Sequence, residues 1–154
     1  MTRTDTLRRQ HDQILEKAIT VQDLARALDE PGRVNELMAE LRWLDAVLTD
    51  HLATEDRELY PEMIASGNAR ASATADRFRA EMGGLSGDYR SFSEEWFDEA
   101  RIASDPLGFR AGFTKIVFAL SKRIHRENNE LYPLADTMDQ ECESEGEELI
   151  KRFG

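Results

Sequence analysis

Apolar residues recur at steps of three and four along four long segments of the chain, which short breaks separate. The segments span about residues 5–29, 34–64, 72–99 and 107–134. This spacing places apolar side chains on one face of an α-helix. Because the breaks are short, consecutive helices are expected to lie side by side and to run in opposite directions. The pattern therefore predicts an all-α fold, an antiparallel up-down-up-down four-helix bundle.

The breaks between the segments carry residues that favour turns and helix caps. Pro31-Gly32 separates the first two segments, and Ser66-Gly67-Asn68 separates the second from the third. Ser104-Asp105-Pro106 offers a helix N-cap followed by a proline at the first helical position. These three breaks define the expected ends of the four helices.

Five polar residues occupy positions on the predicted core faces. They are His11, His51, Glu55, Arg123 and Glu127. Buried charges need partners or a metal ion, so this group is a candidate site. His51 and Glu55 are four residues apart on one helix face, which lets both side chains point to a common centre. His125 lies about 200° around its helix from Glu127 and is predicted to face solvent.

The chain also contains an internal duplication. Glu58-Leu59-Tyr60-Pro61 recurs as Glu130-Leu131-Tyr132-Pro133, at an offset of 72 residues. Offsets of 72 and 71 pair the polar residues of the two copies: Glu55 with Glu127, His51 with Arg123, and His11 with Met82. The two helical hairpins are therefore interpreted as copies of one unit. The prolines are expected to kink or end their helices.

Three motifs carry a resemblance to a known family: the lone His11, the His51-x-x-x-Glu55 motif before Tyr60-Pro61, and Glu127 before Tyr132-Pro133. Together they resemble the hemerythrin-like family, also called the HHE cation-binding domain, over about residues 7–134. The resemblance implies a four-helix bundle with two non-haem irons, bound by histidines from all four helices and two bridging carboxylates. It also implies oxygen binding or sensing, handling of nitric oxide or peroxide, or iron storage.

Carried over to this chain, the resemblance implies metal ligation by His11, His51, Glu55 and Glu127. The two other histidine positions of the family hold Met82 and Arg123. A thioether is a poor ligand for Fe(II), and a guanidinium cannot coordinate a metal. The di-iron site is therefore predicted to be degenerate, with Met82 and Arg123 at former ligand positions.

Two hypotheses follow for the remaining site. In one, the four ligands hold a single non-haem iron, Mn(II) or Zn(II), with open positions for a small diatomic ligand. In the other, the core is metal-free, and Arg123 replaces the lost positive charge by bridging Glu55 and Glu127. Without such a replacement, one orphaned buried charge would cost about 3–5 kcal/mol.

The sequence offers no pairing of a nucleophile with a base, because the serines lack a nearby histidine and Cys142 lies close to the C-terminus. The chain is therefore predicted to be a non-catalytic sensor or regulatory protein with a protein partner. The alternative is a mononuclear non-haem iron protein that senses or handles oxygen, nitric oxide or peroxide.

Composition narrows the expected partners and location. The formal net charge of −11 disfavours nucleic acid and anionic membranes as partners. The longest apolar run, Ile116 to Leu120, falls far short of the roughly 20 residues of a membrane span. A single cysteine fits a reducing compartment, and the N-terminal residues lack an apolar leader segment. A cytoplasmic location is expected.

Acidic residues are concentrated near the C-terminus. Residues 136–148 contain seven carboxylates and no basic side chain. The predicted organisation is a bundle over residues 1–135, followed by a solvated acidic tail over 136–154. A short helix at about residues 147–152 is expected to end this tail.

Overall fold

The computed structural model describes residues 2–153, and over that range every regular element is helical. The all-α prediction is therefore confirmed. The predicted ranges 1–135 and 136–154 include residues 1 and 154, which lie outside the described residues. No helix among the described residues combines the length and the apolar content of a transmembrane segment.

The first half of the chain forms two helical rods. Helix α1 spans Arg3–Arg26 and α2 spans Arg33–Thr54. Helix α2 continues through a π-helical turn, Glu55–Leu59, into α3, Tyr60–Ile64. The second half repeats this plan with more elements: α4 (Ala69–Met82), α5 (Leu85–Trp96), α6 (Glu99–Ser104), α7 (Pro106–Arg126), a second π turn (Glu127–Leu131) and α8 (Tyr132–Phe153).

The predicted cap of α7 is confirmed. The Asp105 carboxylate accepts a hydrogen bond of 3.0 Å from the Gly108 backbone N–H, and Pro106 is the first helical residue. Asn68 caps α4 in the same way, at 3.0 Å from the Ala71 N–H. Each side chain satisfies a backbone donor that has no partner inside its helix.

The third predicted helix, residues 72–99, is interrupted in the structure. Helix α4 ends at Met82 and α5 begins at Leu85, with Gly83 and Gly84 between them. A Cβ atom added to Gly83 would collide with the carbonyl oxygen of Arg79, so the turn requires glycine there. The short helix α6 was not predicted, although Asp98 caps it by accepting hydrogen bonds from two backbone N–H groups.

The two π turns explain why the helices continue past the prolines. In each turn the tyrosine N–H donates to a carbonyl five residues earlier, Tyr60 to Glu55 and Tyr132 to Glu127. A π turn is wider than an α turn and leaves room for the proline ring that follows. Of the two outcomes expected at Pro61 and Pro133, a kink or a helix end, the helix end is therefore wrong. The duplication extends to the backbone, and each π turn begins with a candidate ligand.

Two apolar clusters fill the interior, with the polar residues between them. The larger cluster includes Ile14 and Leu120, and the smaller one includes Leu7 and Leu131. Along α1, His11 lies between Leu7 and Ile14, so it occupies the level where the clusters meet. The same order along α7 and the second π turn places the other polar residues at that level.

The predicted short helix at about residues 147–152 is part of a longer one, because α8 continues without a break to Phe153. Its first turns pack on α1: Asp136 accepts a hydrogen bond from Arg8 (3.1 Å), and Asp139 accepts one from Arg3 (3.1 Å). Beyond residue 140 almost every side chain is exposed. Glutamate is a good helix former, and Lys151 and Arg152 complement the helix dipole at the C-terminal end, so this acidic sequence favours a helix.

Candidate metal centre

The structure brings the four candidate ligands together. One ligand atom each of His11, His51, Glu55 and Glu127 lies within 4.8 Å of the other three. All four residues are at most 1% exposed. Helices α1 and α2 supply the histidines, and the glutamates are the first residues of the two π turns. His125 is exposed, as predicted.

Both histidines are oriented by side-chain amides. His11 Nδ1 lies 2.8 Å from Asn128 Oδ1, and His51 Nδ1 lies 2.7 Å from Gln10 Oε1. An amide oxygen only accepts, so each Nδ1 carries the hydrogen and donates it. When a ring is neutral, its lone pair is therefore on Nε2. Histidines that bind metals are commonly held in this way by a hydrogen bond from the other ring nitrogen.

The two Nε2 atoms face carboxylate oxygens. His51 Nε2 lies 2.7 Å from Glu55 Oε1, and His11 Nε2 lies 3.2 Å from Glu127 Oε1. With the hydrogen on Nδ1, the nitrogen and the oxygen of each pair are both acceptors. In the described part of the chain, His51 Nε2, Glu55 Oε1 and Glu127 Oε1 are buried without a hydrogen-bond partner. Such atoms are rare in folded proteins and indicate a proton or a cation between them.

The site forms a buried polar layer, made of His11, His51, Glu55, Arg123 and Glu127 with Asp56 at its edge. The charges of this layer are unequally distributed. Burial, together with the charges of His11 and Arg123, lowers the pKa of His51 to about 3, so the ring is neutral at physiological pH. Burial and the negative charge of Glu127 raise the pKa of Glu55 well above its usual value. Burial also acts to raise the pKa of Glu127, but His11, Glu55 and Arg123 outweigh it and lower the pKa to about 2. Without a metal, Glu55 is therefore the carboxyl of the pair that takes up a proton first, and Glu127 the one that stays charged to lower pH.

Two tyrosines hold the outer carboxylate oxygens. The Tyr60 hydroxyl donates to Glu127 Oε2 at 2.6 Å, and the Tyr132 hydroxyl donates to Glu55 Oε2 at 3.0 Å. The Tyr132 oxygen also lies 3.0 Å from His11 Nε2. Burial and the adjacent carboxylates raise the pKa of both tyrosines, so they remain neutral donors. These hydrogen bonds hold each glutamate by its Oε2 atom and leave its Oε1 atom facing a histidine.

The Arg123 guanidinium lies between the two predicted carboxylates and also binds a third, that of Asp56. It is 1% exposed, donates from Nε to Glu127 Oε2 at 3.1 Å, and donates from Nη2 to Asp56 Oδ1 at 2.8 Å. Its Nη2 lies 3.7 Å from Glu55 Oε1, beyond hydrogen-bond distance. Arg123 thus forms ion pairs with both predicted carboxylates, and its hydrogen bonds go to Glu127 and to Asp56, which was not predicted. A regular α-helix would turn Asp56 about 100° away from Glu55, which is why it escaped prediction.

Met82, at the position paired with His11, meets this network through its backbone. Its carbonyl oxygen lies 3.4 Å from Arg123 Nη1. The side chain is half-buried against the smaller apolar cluster, and its sulfur lies 4.0 Å from Arg126 Nη1. In this half of the duplication a backbone acceptor for arginine stands where the first half has an imidazole.

A sequence model of the hemerythrin HHE cation binding domain matches residues 2–135. The chain belongs to the hemerythrin HHE cation-binding domain family. No curated protein and no solved structure matches it. The matched range contains both π turns and all four candidate ligands, and it ends before the acidic part of α8. The enclosed acceptors of this hemerythrin domain fit the cation binding for which the family is named.

Three polar residues of this hemerythrin domain were missed by the sequence interpretation, and each is the sequence neighbour of a predicted ligand. Gln10 precedes His11, Asp56 follows Glu55, and Asn128 follows Glu127. The requirement that a ligating histidine donate from its second nitrogen could have suggested Gln10 and Asn128. The repeated Tyr-Pro motif was the signal for the two tyrosine donors.

Proposed function

We propose that this hemerythrin-domain protein binds one divalent metal ion, iron in the first place, and acts as a non-catalytic sensor or regulatory protein in the cytoplasm. We also infer that its long helical rods form an up-down-up-down four-helix bundle. His11, His51, Glu55 and Glu127 would hold the ion. When bound, the ion would supply coordination positions for oxygen, nitric oxide or peroxide.

The number of unpartnered acceptors carries this proposal. A single proton on Glu55 Oε1 could be shared with His51 Nε2, which lies 2.7 Å away. That proton could instead be donated to Glu127, with which Glu55 also interacts. In either case one buried acceptor, Glu127 Oε1 or His51 Nε2, would remain without a donor. One cation among the four ligands would satisfy all three atoms, because each has a lone pair within the same 4.8 Å cluster.

Charge balance favours one ion over two. The three carboxylates of the layer belong to Glu55, Glu127 and Asp56, and Arg123 is their cationic partner within it. A divalent ion and Arg123 together carry three positive charges, which match the three negative ones. A second divalent ion would compete with the guanidinium for the same oxygens and leave excess positive charge in a buried layer.

The fixed positions of the four metal-binding side chains suit reversible binding of a small molecule. The ligands are at most 1% exposed, which excludes a large substrate. The amides of Gln10 and Asn128 orient the imidazoles, while Tyr60 and Tyr132 orient the carboxylates. Because the four side chains are held in place, their positions change little when a small molecule binds. A signal would pass to a protein partner through the helices that carry the four ligands.

The second candidate is a metal-free regulatory module. It is supported by the contacts of Arg123 with Glu127 and Asp56 and by the raised pKa of Glu55, which lets one carboxyl remain neutral. In this state the proton on Glu55 and the guanidinium replace the two metals of the family.

Metal titration separates the two candidates. The chain is stripped with a chelator and titrated with Fe(II) without oxygen, then with Mn(II) and Zn(II), and the bound ions are counted by native mass spectrometry. We expect one ion per chain, and an affinity at least about 100-fold lower for His51→Ala, since a direct ligand is lost. His125→Ala, which removes an exposed histidine, is the control and should bind as the parent does. No bound ion favours the metal-free module, and two bound ions contradict both candidates. An absorption spectrum recorded on admitting air tests the response of bound iron to oxygen.

A further inference from the structure

A cleft of about 370 Å³ lies between the rod of α2 with the first π turn and helix α5. Polar side chains line it where apolar ones would close a helix–helix interface. Two hydrogen bonds of 2.5 Å cross it, from the Tyr89 hydroxyl to Asp45 and from the Ser86 hydroxyl to Asp56. The helices are thus bridged by polar contacts with a space between them, and this volume is in the lower range of small-molecule sites.

The basic side chains of the cleft lack partners among the described residues, whereas its acidic side chains have them. Arg57 and Arg90 are exposed lining residues, and neither forms an ion pair within residues 2–153. The carboxylates are already engaged: Asp45 accepts from Tyr89, and Asp56 accepts from Ser86 and from Arg123. The lining therefore offers two free guanidinium groups in a chain whose net charge is −11.

The remaining lining supplies an apolar surface and one enclosed hydroxyl group. Leu52, at 4% exposure, and Ala53 form an apolar wall. The Ser93 hydroxyl is enclosed and interacts with the Tyr89 hydroxyl, and it has no further hydrogen-bond partner among the described residues. A hydroxyl both donates and accepts, so this group retains capacity for a polar ligand.

We propose that the cleft is a binding site for a small organic monoanion. Its carboxylate would lie between Arg57 and Arg90, because planar guanidinium groups bind carboxylates through paired hydrogen bonds. Its apolar body would contact Leu52 and Ala53. Asp45 and Asp56 are engaged by the Tyr89 and Ser86 hydroxyls, so the two guanidinium groups are free to share a single anionic group.

The cleft is connected to the buried cluster through one residue. Asp56 accepts from Ser86 at the cleft and from Arg123, which in turn donates to Glu127. A ligand that changes the hydrogen bonding of Asp56 therefore changes the partner of the internal cation. This link rests on the proposed function, since it predicts that anion binding and metal binding alter one another reciprocally.

The test uses benzoate as the probe and benzamide as its uncharged counterpart of equal size. Each is titrated into the chelator-stripped chain and followed by the amide signals of Leu52, Ser86 and Ser93 in nitrogen–proton NMR spectra. We expect saturable binding of benzoate to one site, and binding of benzamide that is at least about tenfold weaker. Butyrate and phenylacetate serve as monoanions of other shapes.

Matched arginine variants locate the site. Arg57→Gln and Arg90→Gln should each weaken benzoate binding by about five- to tenfold, since each removes one charged donor. Arg42→Gln removes an exposed arginine of α2 outside the cleft and should bind as the parent does. All three sites are exposed, so these variants are expected to fold.

The outcomes are separable from those of the metal titration. Failure of all three monoanions to saturate the stripped chain, equal binding of benzamide, or an equal loss in Arg42→Gln would overturn the cleft proposal. Repeating the benzoate titration with Zn(II) bound tests the link, and an unchanged affinity would contradict it. Failure to bind Zn(II) would count against the proposed metal site alone, because the titration of the stripped chain does not depend on it.

Discussion

The two halves of the buried layer have the same backbone plan and opposite chemistry. Each half has a π turn that begins with glutamate and is followed by Tyr-Pro. In the first half, His51 Nε2 and Glu55 Oε1 are acceptors without donors. In the second half, Arg123 donates to Glu127, Asp56 and the carbonyl of Met82. The first half has no cation of its own, whereas the second half contains one, Arg123.

The two glutamates show how far neighbours decide the behaviour of a residue. Glu55 and Glu127 occupy equivalent positions and are equally buried, yet the pKa of Glu55 is raised and that of Glu127 is lowered. Arg123 Nε lies 3.1 Å from Glu127, in a hydrogen bond, whereas its Nη2 lies 3.7 Å from Glu55. A duplicated backbone therefore does not imply two equivalent metal sites.

The largest change would come from converting the second half into the first. Met82→His combined with Arg123→His removes the internal cation and adds two imidazoles, which completes a set of four histidines and two glutamates. We expect this double variant to bind two irons per chain, counted by elemental analysis after loading with Fe(II).

The single variants are the controls for this conversion. Each should bind fewer ions than the double variant, because one ligand position stays empty. The glycines that follow Met82 can reduce the gain by leaving α5 free to shift relative to α4. A double variant that folds but takes up no more iron than the parent would show that the pairing of the two halves is wrong.

Arg123→Leu tests whether the guanidinium neutralises the layer. In the metal-free chain we expect a loss of about 3–5 kcal/mol in the free energy of unfolding at neutral pH, because Glu127 becomes a buried charge without its partner. The pKa of Glu127 should then rise, so protonation relieves the cost and the deficit relative to the parent shrinks as the pH falls. Urea unfolding across the pH range measures this deficit, with the exposed Arg110→Leu on the same helix as control. Equal stability of Arg123→Leu and the parent at neutral pH would contradict the account.

Metal affinity should depend on pH through Glu55, which belongs to the first half of the buried layer. The pKa of Glu55 is raised in the metal-free chain, so an incoming ion must displace its proton. Below that pKa we expect the affinity to fall by up to about tenfold per pH unit, and above it to become constant. His51, with a pKa of about 3, is already neutral and does not add to this dependence above pH 5 or so. Competition with a chelator of known affinity measures it, and an affinity independent of pH would mean that Glu55 is not protonated or not a ligand.

The smallest effect concerns α8. A chain shortened after residue 140 should lose less than about 1 kcal/mol of unfolding free energy, because the removed residues are exposed. A chain shortened after Ala135 should lose more, since Arg8 and Arg3 lose Asp136 and Asp139 and the smaller apolar cluster loses Met138. Thermal unfolding of the two chains checks this, and a large loss in the longer one would show that the distal part of α8 packs on the protein.

Periodicity was sufficient to predict the helices and the polar residues on their buried faces, because each depends on spacing within one helix. It did not reveal the break at Gly83 and Gly84, which depends on a close approach of the backbone to Arg79. The bridge from Arg123 to Asp56 was missed because a π turn changes which residue faces the interior, and a regular 3.6-residue repeat contains no sign of such a turn. The helical course of residues 136–146 was missed because their charge was interpreted as solvation rather than as helix propensity.

Anomalous X-ray scattering from crystals of the chain soaked in Mn(II) or Zn(II) tests the central claim most directly. The account predicts one anomalous peak per chain, about 2.0–2.2 Å from His11 Nε2, His51 Nε2 and oxygens of Glu55 and Glu127. It also predicts that Arg123 keeps its contacts with Glu127 and Asp56 in the loaded protein. Two peaks in the layer, no peak among the four ligands, or an ion at the position of the guanidinium would contradict it.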